Sequence, residues 1–494
     1  LWLSCAARWK YPLGNVFWMR EYPLKPKRQR ILEAASLLYI FLPCLIFLLG
    51  WLRPVIAIPA FIIVAFGLYR TLESYFSGEE GFSENASETS RLGKPLTYLL
   101  IAGMVIFVIL ISGIGGFARQ IDADFVKHNA FLIDLSEYPW PLAYAQSGDD
   151  GAPRAFAAYM GFYLIPALVG KCLGWEAANA AELLWAILGL YLAVLWFLRI
   201  VGKLSPLYAL LFLAYGGLDI IGFIILRRQP YETLAHSTLD YWLPYFVWQE
   251  PPSGGIMKGV FWAYGANICY LYNAFHHVLP GWIIVLMIVC SGVRERSSAR
   301  VLFLFAATPI SSVFVAFGLA PYVLLTLIET RGKNLWTFQN MVAAPLLLFL
   351  TILYISSNSG LLEHGWLWEY QDLRVTWPVL LLFYVVEFGI YVAACPTAWD
   401  ASRPGLTRWW WWTAIACLLL LPLYRLGPFC ELTAKGSIPS LIVFQVGIAT
   451  ALHRTRTDTQ RQAARWLVFL LILGSCSAAQ WTSMQLRATV NWRP

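Results

Sequence analysis

Apolar residues in this chain fall into long uninterrupted runs, separated by short polar links that are mostly basic. Leu37–Leu52, Leu99–Gly113, Leu183–Leu198 and Leu346–Ile355 carry almost no charge over most of a bilayer crossing. The strands of a transmembrane barrel would alternate in polarity over about ten residues, whereas these runs are continuous and Leu-rich, so the pattern predicts helices. Spans are expected near 33–52, 55–71, 96–114, 179–200, 205–226, 280–293, 338–357, 375–394, 409–424, 438–453 and 465–483. Residues 301–329 are too long for one crossing, contain Pro309 and are flanked by basic residues on both sides. They predict a helix pair that turns back near its middle. Phe156–Gly174 is apolar but holds Pro166 and Lys171, and the parity of the flanking spans makes it a half-inserted helix. The expected fold is an all-α polytopic membrane protein of about twelve transmembrane helices, with juxtamembrane helices in a large first extracytoplasmic loop.

Composition supports the class. Of 494 residues 59% are apolar and only 13% charged, where a soluble domain would be near half apolar and a quarter charged. The net charge of +8 follows from topology, because basic residues gather in the predicted cytoplasmic loops and no nucleic-acid-binding signature accompanies them. The arm with Arg8, Lys10, Arg20, Lys25, Lys27, Arg28 and Arg30 places the N-terminus in the cytoplasm. The first apolar segment runs through Arg53-Pro54 into a second, so it is expected to be a span, not a cleavable signal. The nine Cys are scattered, mostly in apolar runs, with no metal-ligand or disulfide spacing. Four regions result: a basic arm (1–32), a helical hairpin with an acidic cytoplasmic loop (33–95), a core with outer loops at 115–178 and 229–279 (96–335), and C-terminal helices (336–494). Asn85-Ala-Ser is a glycosylation sequon on the cytoplasmic side of this topology, where it would not be modified.

Candidate chemistry lies in the outer loops. In the first, Phe117, Ile121, Phe125, Leu132 and Leu135 are expected to share a face lying on the membrane, with Asp124, Lys127 and His128 together on another. A carboxylate beside a cation and an imidazole can deprotonate a hydroxyl acceptor. It can equally hold a divalent ion, Mg or Mn, that neutralises a leaving phosphate, or form a plain solvated face. The second loop gathers His236, Asp240, Trp242, Tyr264, Asn267, Asn273, His276 and His277. Aromatic planes with side-chain amides suit a sugar-binding cleft, and they also suit an interfacial aromatic belt. His276 and His277 are adjacent and point about 100° apart on a helix, which disfavours a shared metal. Asp219 lies within a span, where a carboxylate is costly and is either functional or paired with Arg227 or Arg228. In the last outer loop Arg425 and Lys435 flank a span end, positioned for a lipid phosphate or a lipid headgroup.

Three segments carry a resemblance: Asp124-Phe-Val-Lys127-His128-Asn129-Ala with its trailing Trp140-Pro, Trp262-Ala-Tyr264 through His277-Val-Leu-Pro-Gly-Trp282, and Lys435-Gly-Ser437-Ile-Pro439. With the long acidic first loop, they make the chain similar to the GT-C superfamily of membrane glycosyltransferases, within a group of bacterial polytopic membrane proteins. The resemblance implies a polyprenyl-phosphate-linked sugar donor and transfer outside the bacterial cytoplasmic membrane, ahead of the endoplasmic reticulum. Its acidic residue maps onto Asp124, with Asp122 second, and Lys435 stands where the family pattern has Arg. The loop follows the third predicted span instead of the first, as an added N-terminal hairpin would produce. The implied partners are membrane lipids and the lipid-linked sugar. A transporter or flippase, or a non-catalytic subunit of an envelope assembly, are the readings from other classes.

Overall fold

The computed structural model describes residues 26–76, 95–144, 154–226, 239, 262–291, 297–357, 364–370, 373–395, 408–427, 430–453 and 458–491. The first helices are α1 (Pro26–Trp51), α2 (Pro54–Phe76) and α3 (Pro95–Ile111). Each opens on a proline, whose fixed φ and missing N–H suit a first helical position. A loop helix α4 (Asp124–Glu137), a ribbon of β1 (Ala143–Tyr144) and β2 (Arg154–Ala155), and a short α5 (Leu164–Leu173) lead into α6 (Trp175–Val201), which ends on Gly202 in the left-handed conformation. At ten residues α5 is about 15 Å long, half a bilayer core.

The next span is broken into α7 (Pro206–Ala214) and α8 (Asp219–Leu226), followed by α9 (Asn267–Asn273) and α10 (Phe275–Ser291). Two helices, α11 (Val301–Ala306) and α12 (Val313–Glu329), form the predicted pair. Asn340 Nδ2 donates to Ser298 O at 2.6 Å and Thr337 Oγ1 to Ala299 O at 2.8 Å, so both ends of the pair meet and the chain reverses at 307–312. The remainder comprises α13 (Ala344–Ser356), β3 (His364–Trp366), α14 (Leu367–Tyr370), α15 (Leu373–Tyr384), α16 (Ile390–Ala394), α17 (Arg408–Leu420), β4 (Tyr424–Leu426), α18 (Glu431–Gly436), α19 (Ile438–His453) and α20 (Asp458–Val490). β3 and β4 pair antiparallel with Gly365 opposite Arg425.

Among the described residues eight helices are long and apolar enough to cross a membrane: α1, α2, α6, α7 with α8, α13 with its π-helical first turn, 377–394, α18 with α19, and α20. Five shorter apolar helices accompany them. Val278–Val289 of α10 and Ile438–Ala449 of α19 are buried all round, which makes these two helices the centre of the bundle. Leu99, Leu184, Leu353 and Ile472 are exposed on outer helices, as lipid-facing residues are. The protein is an all-α multi-pass membrane protein apart from its two small ribbons, and no described cysteine forms a disulfide.

The two ends of the bundle differ. At one, α4 and α5 cap the bundle, and Trp140 packs on Trp51 at the end of α1, with ring centroids 5.0 Å apart. At the other, about 40 Å along α6, Arg199 forms a buried ion pair with Glu33 at 2.9 Å. Gln29 also donates to Glu33, and the Arg199 guanidinium lies over Trp196.

Candidate functional site

The site is built on the α4 end. Asp122 Oδ1 accepts the N–H of Asp124 at 2.8 Å and fastens the start of α4. Asp124 itself occupies the first turn, where a carboxylate meets the positive end of the helix dipole. Its Oδ2 lies 3.1 Å from Lys127 Nζ one turn on, and both side chains are about half exposed. A solvated pair of this kind contributes about 0.5 kcal/mol, so neither group is locked by it.

The expected grouping of Asp124, Lys127 and His128 on one face is corrected. His128 recurs with Phe125, Leu132 and Leu135 at helical spacing and turns inward with them, 1% exposed. Of the apolar face expected on the membrane, Phe125, Leu132 and Leu135 pack instead on the protein, while Phe117 stays exposed. Phe125 stacks on Phe275 at 6.0 Å and His128 lies 4.7 Å from the same ring. His128 Nε2 is 3.2 Å from the carbonyl oxygen of Asn273, and Nδ1 is 2.5 Å from Tyr163 Oη. A carbonyl can only accept, so Nε2 carries the proton and Nδ1 accepts from the Tyr163 hydroxyl. Burial, then the charge of Lys127, lowers the His128 pKa to about 4, and the ring is neutral near pH 7. With both nitrogens engaged, His128 is a positioning residue and not a base.

His276 and His277 open α10 beside it. Their ring centroids lie 3.9 Å apart, and His276 is 4.8 Å from His128. His277 Nδ1 donates to Ser311 O at 3.2 Å, at the point where the α11–α12 pair reverses. Lys435 closes the group from α18, where it is ion-paired to Glu431 one turn earlier and has Nζ 5.8 Å from the Phe314 ring centroid. Its charge reaches His128, His276 and His277. Tyr159 lies 5.3 Å from His277, and burial with the Glu431 charge pushes its pKa up to about 12, so it remains a phenol. Three segments more than a hundred residues apart in sequence therefore converge on one cluster. Among the described residues no three His, Cys, Asp or Glu side chains are arranged to hold a metal ion.

Other expected residues do different work. Tyr264 and Asn267, read as possible recognition groups, are corrected to interior packing residues. Tyr264 donates to Leu418 O at 2.6 Å, and Asn267 Nδ2 reaches Phe212 O at 2.7 Å and Gln445 Oε1 at 3.1 Å. Trp262 and Tyr270 likewise donate to Pro422 O and Ala434 O. These carbonyls lie at helix ends and breaks, where the last turn lacks intrahelical donors. Asn273 lines the site through its carbonyl, with Nδ2 3.4 Å from Cys269 Sγ. Arg425 is buried in β4, where Nε donates to Gly427 O at 3.4 Å. His236, Asp240 and Trp242 lie outside the described residues, as do Arg227 and Arg228.

Tyr159, Tyr163, Ser311, Phe314 and Glu431 complete the cluster without having been anticipated. The Ser311-Ser312 pair inside an apolar stretch was the one available signal; the tyrosines sit among apolar residues of the segment expected as a half-inserted helix. Comparison of the chain with protein-family models, with curated proteins and with solved structures returns no match.

Proposed function

We propose that the chain is a GT-C-type membrane glycosyltransferase of about twelve crossings, moving a sugar from a polyprenyl-phosphate donor to an acceptor on the extracytoplasmic side. The observation that carries this reading is the meeting of Asp124 and Lys127 from α4, His276 and His277 from α10, and Lys435 from α18 at the capped end of the bundle. In this reading Asp124, half exposed beside its lysine, accepts the proton of the acceptor hydroxyl. The hydroxyl oxygen then bonds to the anomeric carbon as the bond from that carbon to the phosphate oxygen breaks. Lys435 balances the charge left on the departing lipid phosphate. His128 holds α4 against the α9–α10 junction through the Asn273 carbonyl, which keeps Asp124 in register with the cluster.

The test is Asp124→Asn in membranes supplied with a labelled polyprenyl-linked sugar. The amide keeps the shape and removes the base, so transfer should fall by a factor of about 10² to 10⁴. Transfer at the wild-type rate would remove Asp124 from the mechanism.

A specific observation also favours transport. The span of α7 and α8 is unwound at Tyr215–Leu218, and Asp219 is fully buried at the start of α8, where Ser477 Oγ donates to Oδ2 at 2.6 Å. The buried Glu387 carboxylate lies against Gly217 beside it, in a π-helical turn. Broken helices and midplane carboxylates are features of transporters. Loss of uptake into proteoliposomes on Asp219→Asn, with sugar transfer absent from the wild type, would decide for that reading.

A further inference from the structure

The three imidazoles of the cluster are not equivalent. His128 has Asn273 O on one nitrogen and the Tyr163 hydroxyl on the other. His277 donates through Nδ1 to Ser311 O. His276 differs from both. It is 6% exposed and is enclosed by the rings of His277, His128 and Tyr163 at 3.9, 4.8 and 5.7 Å. Its Nδ1 is buried and has no hydrogen-bond partner among the described residues. Leaving a buried polar nitrogen unsatisfied costs about 1–3 kcal/mol, and folded proteins rarely tolerate it without a reason. The neighbouring imidazoles show that this fold can supply carbonyl and hydroxyl partners where only packing is at stake. A ligand atom at His276 Nδ1 would fill the place that a carbonyl or hydroxyl fills for the other two rings.

The surrounding charges select the ligand's class. Carboxylates reach other members of the cluster, Asp124 acting on His128 and Glu431 on Tyr159. The cations that act on His276 are Lys435 from α18 and Lys127 from α4, each ion-paired on its own helix, with Glu431 and Asp124. An oxyanion is favoured there and a cationic or hydroxyl-only ligand is not. We propose that His276 Nδ1 is a hydrogen-bond donor to a phosphate oxygen, with Lys435 and Lys127 as flanking cations. A prenyl phosphate and free phosphate present the same oxygens. The choice of a prenyl ester as the source rests on the glycosyltransferase reading, while the phosphate contact itself does not.

The probes are citronellyl phosphate, its alcohol citronellol and inorganic phosphate, titrated calorimetrically into the full chain in nanodiscs. Wild type should bind citronellyl phosphate and not citronellol. His276→Asn keeps an N–H close to the position of Nδ1 and should hold affinity within about threefold. His276→Leu removes the donor and should weaken binding about tenfold, the equivalent of about 1.4 kcal/mol. If the leucine variant fails to fold, His276→Gln, which moves the amide toward the Nε2 position, takes its place with the same expected loss. Equal affinity in wild type and His276→Leu overturns the proposal. So does an equal loss in the asparagine and leucine variants, which would mark a packing role, or failure of the wild type to prefer phosphate over alcohol. Preference for the prenyl ester over inorganic phosphate assigns a lipid source, and equal binding of the two assigns free phosphate; both keep the contact. A chain that binds phosphate through His276 yet transfers no sugar retains this site and loses the transferase reading. Sugar transfer with unchanged affinity in His276→Leu does the reverse.

Discussion

His128 should make this protein acid-sensitive over a defined window. The imidazole takes a proton near pH 6.5 in an unfolded chain, but in the folded protein only near pH 4, because it is buried and Lys127 lies beside it. Between those values the unfolded chain binds more protons, so folding stability falls as pH drops and is fully restored above about 6.5. At about 1.4 kcal/mol per pH unit the loss from this one residue reaches about 3 kcal/mol by pH 4. His128→Gln isolates it, since the glutamine amide does not titrate while every other histidine and carboxylate is shared. The stability gap between wild type and variant should be constant above pH 6.5 and narrow by about 3 kcal/mol on acidification to pH 4. Equilibrium unfolding of both proteins in mixed micelles, stepped from pH 7.5 to 4, measures the gap directly. A gap that keeps its neutral value down to pH 4 would mean that His128 protonates in the folded state as easily as in water, and the inward placement of this ring would be wrong.

Two further perturbations follow from close contacts. A methyl group on Gly318 would overlap the carbonyl oxygen of Gly436 where α12 crosses α18. Gly318→Ala should therefore cost about 1–3 kcal/mol and displace Lys435, lowering citronellyl phosphate affinity together with the thermal midpoint. Unchanged values of both would show that α12 and α18 can separate freely. At the opposite end, Arg199→Met leaves Glu33 buried without its ion-pair partner and should cost about 3–5 kcal/mol by unfolding. The double variant Glu33→Gln, Arg199→Met should recover most of that, and failure to recover would assign the loss to Arg199 packing over Trp196 instead.

The membrane helices were legible because a bilayer demands long apolar runs, and α1, α2, α6 and α13 satisfy that demand in sequence alone. The reversal inside 301–329 was legible as well, since length, a proline and basic flanks at both ends admit few other paths. The breaks were harder. Nothing in Pro206–Leu226 announces that Tyr215–Leu218 unwinds apart from Gly216-Gly217, and glycine pairs also occur in continuous membrane helices. The unwinding depends on residues far away: Asn267 and Gln445 supply the donors that the carbonyls of Leu211 and Phe212 lose at the end of α7. Such compensation is a property of tertiary packing and has no local signature.

The same compensation explains why Tyr264 and Asn267, which suit a sugar cleft by residue type, lie in the interior as packing residues. Away from water, every carbonyl freed by a broken helix needs a donor from the protein. Aromatic hydroxyls, indole N–H groups and amides are well suited to provide one, because each brings a large apolar body with a single polar tip. Trp262, Tyr264, Asn267 and Tyr270 do this at Pro422, Leu418, Phe212 and Ala434. A sugar cleft would use the same residue types, so the composition of a loop cannot separate the two uses. Charged groups are different. A lone helix-end carbonyl is a poor reason to keep an ammonium near buried imidazoles when a neutral donor serves at lower desolvation cost. Lys127 and Lys435 therefore distinguish this cluster from the packing residues such as Tyr264. Within the cluster the deciding feature is finer still: His128 and His277 point a nitrogen at a backbone carbonyl, as the packing residues do, while the Nδ1 of His276 does not. Among the described residues of the cluster, only that imidazole keeps a buried nitrogen without a partner.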